Sequence, residues 1–205
     1  MRIKICGLTR EEDVLAAVAA GADALGFNFW EGSPRRVTPA QAARLVALVP
    51  PFVATVGVFV NADPADVRRL TAELGLTAVQ LHGDESAASC AACGPRVIKA
   101  ARVRSREDLE ALATFRAWAF LLDGFTPRFG GGGQPFDWSL VREASLARPI
   151  ILAGGLTPAN VGLAIRTARP HGVDVASGVE ARPGVKDPQL LEAFVRAAHA
   201  ATEVA

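Results

Sequence analysis

A chain of 205 residues, 50% hydrophobic and 21% charged with a formal net charge of +1, has the balance of an ordinary globular protein and enough length for one large core. The near-neutral charge, with no long run of either sign, argues against nucleic acid as a partner, so any anion must be held locally by backbone amides and a few placed cations. No apolar run reaches the about 18 residues of a membrane span, no signal core precedes the first strand-like segment, and three cysteines are too few for a disulfide-stapled secreted domain. The expected compartment is a reducing cytoplasm, with no membrane partner.

Short apolar runs alternate with Ala-rich amphipathic stretches from end to end. Strands are predicted at 3–6, 24–29, 53–60, 78–81, 97–101, 119–123, 150–153 and 173–177. Their unbroken apolar character is that of strands covered on both faces. Helices are predicted at 11–20, 39–49, 64–74, 84–93, 105–114, 138–145, 158–168 and 187–200. Pro39, Pro64 and Pro158 sit early in their helices, behind Thr38, Asp63 and Thr157 as N-caps. Such β–α repetition implies a parallel sheet with right-handed crossovers, either open and doubly wound or closed. Eight near-equal units favour closure, which leaves no edge strand. No linker divides the chain. The expected architecture is therefore an α/β single-domain (β/α)8 TIM barrel over residues 1–205, compact beside the usual ~250 residues.

In that architecture the chemistry lies at the C-terminal ends of the strands. There the sequence places Cys6-Gly7, His82-Gly83, Asp123-Gly124, Gly154-Gly155 and Ser177-Gly178. Gly154 and Gly155, with Ser177 and Gly178, follow strands 7 and 8, where barrels often bind phosphate through backbone amides; the alternative is a pair of tight turns. Cys6 is either a buried structural cysteine or a base. The second role needs a positive neighbour, because a free thiol has a pKa of about 8.5, and Lys4 should share its side of the strand. Asp123 emerges from an apolar strand, where partial burial suits a general acid, unless it merely braces the following loop.

Arg35 could grip a substrate carboxylate through a bidentate pair, although Arg35 and Arg36 together also read as solvated charge. His82 is either a packed residue or part of the site. Lys99 is expected to point into the barrel and join Lys4 in a charged layer. Cys90 and Cys93 have metal-like spacing but no second ligand pair, and read as structural. The glycine run 130–133 lacks a P-loop ending and reads as a flap between Phe129 and Phe136. Asp63, Asp66, Asp84 and Glu85 read as helix-start caps. No metal site is visible.

These residues carry a resemblance that spans nearly the whole chain. Lys4-Ile5-Cys6-Gly7-Leu8-Thr9, Ser33-Pro34-Arg35, Gln80-Leu81-His82-Gly83 and Leu122-Asp123 appear in order. Phe136-Asp137-Trp138, Leu152-Ala153-Gly154-Gly155-Leu156, Ser177-Gly178-Val179-Glu180 and Pro183-Gly184-Val185-Lys186-Asp187 follow. The set resembles the phosphoribosylanthranilate isomerase family of tryptophan biosynthesis. The resemblance implies an Amadori rearrangement of N-(5′-phosphoribosyl)anthranilate to the 1-(2-carboxyphenylamino)-1-deoxyribulose 5-phosphate. It implies Asp123 as general acid, Cys6 as general base and Arg35 at the anthranilate carboxylate. Gly154, Gly155, Ser177 and Gly178 would take the phosphate, and His82 would line the substrate. It implies a small-molecule substrate, no cofactor or metal, and a monomer or homodimer. Ala176 and Gly132 depart from the family pattern, at the phosphate loop and in the flap. The histidine-pathway Amadori isomerase resembles a two-carboxylate design, against which Cys6 counts. Indole-glycerol-phosphate synthase normally carries an N-terminal extension. A barrel that only binds would need neither Cys6 nor Asp123.

Overall fold

A computed structural model describes residues 1–124, 136–144 and 146–203. Strands β1 (Arg2–Cys6), β2 (Ala24–Asn28), β3 (Ala54–Phe59), β4 (Ala78–Leu81), β5 (Val97–Val103), β6 (Ala119–Gly124), β7 (Ile150–Leu152) and β8 (Gly172–Val175) form a closed parallel barrel. Pairing of β8 with β1 completes the ring. Helices α1 (Glu11–Ala19), α2 (Pro39–Val46), α3 (Pro64–Leu74), α4 (Ala87–Ala92), α5 (Arg106–Glu110), α6 (Ser139–Glu143), α7 (Val161–Ala168) and α8 (Pro188–Glu203) alternate with the strands. Among the described residues no helix is long and apolar enough to cross a membrane.

Alternation along each strand divides the core. Ile3, Ile5, Leu25, Phe27, Leu122, Leu152 and Val173 point outward and are buried in the layer beneath the helices. Smaller inward residues, among them Val56, Ala78, Ile98, Ala100, Ala119 and Leu121, fill the barrel. Cys90 and Cys93 pack with Val67, Leu70 and Val79 under α3 and α4, the structural role expected of them.

Local chemistry explains both the agreements and the shifts in element ends. Thr38 accepts from the Gln41 amide and Asp63 from the Ala65 amide, capping α2 and α3 as expected. The last predicted turn of α2 is not helical, and α8 runs on to Glu203. Thr157 does not cap α7, which starts one turn late. Its carbonyl accepts from the amides of Asn160 and Val161, while the Asn160 side chain bonds the Thr157 amide and the Gly155 carbonyl. Asn160 therefore ties down the loop that a cap at Thr157 would have released into helix. Strand β8 ends at Val175, and Ser177 instead opens a 3-10 turn (Ser177–Val179) that leads into a small hairpin of β9 (Glu180–Arg182) and β10 (Val185–Lys186).

Three charged residues depart from their expected roles. Asp84 lies three positions before α4 and does not cap it; its carboxylate accepts from Arg102 Nη2 at 2.7 Å. Glu85 is not a helix cap; Ser86 caps α4 instead. The buried Glu85 carboxylate accepts from the Asn61 and Gly83 amides and from Lys99 Nζ at 2.8 Å. Lys99 consequently points away from the barrel interior, its ammonium also bonding the Gly83 carbonyl and lying 5.9 Å from the Phe115 ring centre. It does not join Lys4, because odd and even positions of β5 face opposite sides and Ile98 and Ala100 take the inside.

The opposite end of the barrel has its own feature. Phe52, at the unusual φ of 72°, is wholly exposed, and Trp118 is 49% exposed. They flank a cavity of about 340 Å³ lined by Ala54, Ala78, Ile98 and Ile151.

Burial alone would raise the Glu85 carboxyl, but Lys99, the Asn61 amide and the Glu85 amide outweigh it and hold the group below its ordinary range. Its contribution to stability is thus complete above the ordinary carboxyl pKa and is lost as pH falls through the lowered one. Glu85→Ala strands a buried ammonium and should cost about 3–5 kcal/mol in urea unfolding near neutral pH.

Candidate active site

Cys6, Arg35, His82, Asp123, Gly154, Gly155, Ser177 and Gly178, the site residues read from the sequence, all line one pocket at the C-terminal mouth of the barrel. Its floor and rim are built from pieces of nearly every strand end.

Cys6 is the last residue of β1, and its side chain is buried. The chain then turns at Gly7, whose φ of 76° favours glycine and whose missing side chain leaves room for Arg35; a Cβ there would lie 2.5 Å from Arg35 Cδ. Burial pushes the Cys6 thiol above its ordinary pKa, Lys4 and Lys186 pull it down, and Asp174 pushes it up again. Lys4 Nζ bonds Asp174 Oδ1 at 2.8 Å within the barrel. Burial disfavours its charge, yet Asp174 and Cys6 together raise the Lys4 pKa above its ordinary value.

Arg35 is buried while Arg36 pairs with Glu31 at the surface, so the two neighbours have different fates. Arg35 makes a bidentate pair with Glu180, Nε to Oε1 at 2.8 Å and Nη2 to Oε2 at 2.7 Å. Lys186 Nζ donates to the same Oε1 at 2.9 Å and to the Ala176 carbonyl at 2.9 Å. Burial raises the Glu180 carboxyl, and the two cations more than reverse that, leaving it below its ordinary range. Glu180 is thereby a carboxylate that orients Arg35 across the mouth while leaving the Nη1 protons of the fork uncommitted to it.

Asp123 lies at the inward side of β6, with Oδ2 3.3 Å from His82 Nε2. His82 Nδ1 is 2.9 Å from Gln80 Nε2. The imidazole thus bridges the Gln80 amide on one side and the Asp123 carboxylate on the other. Asp123 Oδ1 is buried and has no hydrogen-bond partner among the described residues. It faces Gly154, where a Cβ would fall 2.7 Å away.

Gly154 and Gly155 both adopt left-handed backbone, with φ of 83° and 61°. A Cβ on Gly154 would also strike the Gly124 amide, and one on Gly178 would strike the Leu156 carbonyl. The end of β6 and the loops after β7 and β8 are thus packed backbone against backbone, with no space for side chains between Gly154 and Gly124 or between Gly178 and Leu156. Because α7 starts only at Val161, the Gly154-Gly155 loop does not lead directly into a helix. The turn at Ser177–Val179 is the helical start nearest the pocket.

Sequence reasoning overlooked Gln80, Asp174, Glu180 and Lys186 as parts of this assembly. The two-residue steps Lys4 to Cys6 and Gln80 to His82 were legible signals of a shared strand face, as was a lone Asp174 in an apolar strand. The pairing of Arg35 with Glu180, 145 positions apart, left no local signal. Phe136 packs partly buried against the main core, whereas Phe129 and the glycine run 130–133 lie outside the described residues. Among the described residues no cluster of three His, Cys, Asp or Glu is arranged to hold a metal.

The chain is similar over nearly its whole length to named relatives and solved structures. It is 52% identical to the N-(5′-phosphoribosyl)anthranilate isomerase of Dechloromonas aromatica, over 98% of both chains. The phosphoribosyl anthranilate isomerase of Thermotoga maritima matches with a TM-score of 0.92 and 44% identity, covering 98% of this chain and 99% of that one. A second structure of it, described as monomers of a dimeric enzyme, has a TM-score of 0.86 at 40% identity over 98% and 99% of the two chains. A phosphoribosyl anthranilate isomerase in complex with reduced 1-(o-carboxyphenylamino)-1-deoxyribulose 5-phosphate has a TM-score of 0.88 at 41% identity, again over 98% and 99%. Residues 3–197 match the family model for N-(5′-phosphoribosyl)anthranilate (PRA) isomerase, and the chain belongs to that family.

Proposed function

We propose that the protein isomerises N-(5′-phosphoribosyl)anthranilate to 1-(2-carboxyphenylamino)-1-deoxyribulose 5-phosphate in tryptophan biosynthesis, with Asp123 as general acid and Cys6 as general base. The observation that carries this reading is a carboxyl and a thiol on different strands lining one pocket between a buried arginine and paired glycine loops. An aminoaldose-to-ketose rearrangement asks for two proton transfers and no net redox change, and two such groups suffice.

In the proposed sequence Asp123 gives its proton to the ribose ring oxygen, the C1′–O bond breaks, and the anilino nitrogen supplies the electron pair that makes an iminium. The iminium acidifies the adjacent C2′–H. The Cys6 thiolate takes that proton, its bonding pair forms the C1′–C2′ double bond, and the resulting enolamine tautomerises to the ketose. His82, donating from Nε2 towards Asp123, fixes the carboxyl and lines the substrate beside it. Arg35, aimed by Glu180, offers its remaining donors to the anthranilate carboxylate. Backbone amides at Gly154, Gly155, Ser177 and Gly178, with the Ser177 hydroxyl, receive the phosphate. The relative described with the reduced carboxyphenylamino-deoxyribulose phosphate binds a compound that differs from this product by reduction, which supports the same occupant here. A thiol base also suits a reducing cytoplasm, where it escapes oxidation.

Cys6→Ala and Asp123→Asn should each lower kcat on phosphoribosylanthranilate at least about a hundredfold with unchanged circular dichroism. Near-normal turnover by either, or failure of the parent gene to complement a strain lacking this isomerase, would remove the assignment. Arg35→Ala should raise KM far more than it lowers kcat; an unchanged KM with depressed kcat would dismiss the carboxylate anchor.

For the quaternary state we propose a homodimer through the N-terminal end of the barrel. Phe52 projects fully into solvent beside a mostly apolar cavity of about 340 Å³ on the same face, with Arg2, Lys4 and Asp23 as its charged lining. A two-fold axis would seat each ring in the other copy's cavity, a self-complementary interface, and a Thermotoga relative is described as dimeric. Sedimentation at micromolar concentration should report a dimer, and Phe52→Glu a folded monomer. A monomeric parent would refute the pairing.

A further inference from the structure

The assignment of Cys6 as base leaves one requirement unmet. Its thiol is buried and pushed above the ordinary range, so a thiolate forms only beside a cation free to answer it. Among the described residues, three cations have charge near the sulfur: Lys4 on β1, Lys186 on β10 and Arg35 in the loop after β2. Lys186 and Arg35 are both committed to Glu180, and Lys186 also to the Ala176 carbonyl. Asp174 on β8 is the anion that opposes the thiolate.

Lys4 is placed differently. It lies two residues before Cys6, facing the same side of β1, and its strand partners are Asp174 across β8 and Ala24 across β2. One ammonium proton goes to Asp174 Oδ1 at 2.8 Å. Others remain for a second acceptor. The acceptor at hand is Cys6, since the two side chains converge on one point over Gly26. A Cβ at Gly26, the register partner of Cys6, would fall 2.8 Å from Cys6 Sγ and 3.1 Å from Lys4 Nζ. The absence of that carbon is what permits ammonium and sulfur to share the space.

We propose that Lys4, clamped by Asp174 and given room by Gly26, is a positioning residue that stabilises the Cys6 thiolate from inside the barrel. It touches no substrate atom and acts only through the sulfur. The proposal rests on Cys6 being the base, and it answers how a buried thiol could serve in that role.

The test is alkylation of substrate-free protein by iodoacetamide, followed against pH and quantified by mass spectrometry on the peptide that carries Cys6. Lys4→Met should move the alkylation midpoint up by at least about one pH unit, and the acid limb of kcat/KM should move with it. One unit is a tenfold loss of thiolate at a fixed pH below the midpoint, so kcat near neutrality should fall about tenfold with KM little changed. Gly26→Ala keeps both charged groups but wedges a methyl between them, and should shift the midpoint in the same direction if Lys4→Met does not fold. Alkylation profiles that superimpose on the parent's in both variants would overturn the proposal. Because the alkylation needs no substrate, a shifted profile together with an active Cys6→Ala would sink the base assignment and leave the Lys4–Cys6 pairing standing.

Discussion

Closure of eight parallel strands into one barrel is the constraint from which the other features descend. In a closed parallel sheet every residue on a strand points either to the helix layer or to the barrel axis, and the choice alternates. The middle of the axis is filled by small apolar side chains such as Val56, Ala78, Ala100 and Leu121. At the C-terminal end the inward positions have no further core to complete. Cys6, Gln80, Asp123 and Asp174 occupy them and line the pocket. A single rule of pleat therefore gathers groups from strands far apart in sequence around one small volume.

Bringing polar groups so close to a core has a cost, and the protein meets it by pairing. Lys4 with Asp174, Lys186 and Arg35 with Glu180, and Lys99 with Glu85 are ion pairs whose side chains are nearly inaccessible. A buried pair of this kind is weak support for stability in itself, because desolvation consumes most of the attraction. Its value is positional: a charge that cannot leave its partner cannot leave its place. Glu180 aims Arg35, and Asp174 holds Lys4 beneath the sulfur. The same logic fixes His82, held between the Gln80 amide and the Asp123 carboxylate. Lys99 and Glu85 show the rule away from the pocket, where the pair secures the turn after β4 to β5.

The two proposed reacting groups sit in different surroundings, as an acid and a base should. Asp123 has one oxygen held near His82 and the other turned towards Gly154, so its orientation is narrow. Cys6 is enclosed and surrounded by charges of both signs. The backbone-to-backbone packing of the Gly154 and Gly178 loops makes the far wall rigid, so a phosphate held there would set the distance of the sugar from both groups.

What the sequence determined by itself was periodicity and punctuation. Alternating apolar runs and Ala-rich stretches, proline-led helix starts and glycines at strand ends were enough for the barrel, its eight units, and the membership of Cys6, His82, Asp123 and the Gly-Gly and Ser-Gly pairs in one mouth. Those signals are local, because strand alternation, caps and turns are decided within a few residues. Lys99 was misjudged because its inward or outward direction depends on strand phase, which a run of Val97, Ile98 and Ala100 leaves ambiguous. Thr157 was misjudged because Asn160 reaches back to bind the loop it would have capped. Only the tertiary structure decided that Arg35 belongs to Glu180, that His82 faces Asp123, and that Lys4 meets Cys6 over Gly26. Charge pairing in a barrel follows register between strands and the path of loops from opposite ends of the chain, so no window along the sequence holds Arg35 with Glu180 or His82 with Asp123; Lys4 and Cys6 share a window, but Gly26, over which they meet, lies on another strand.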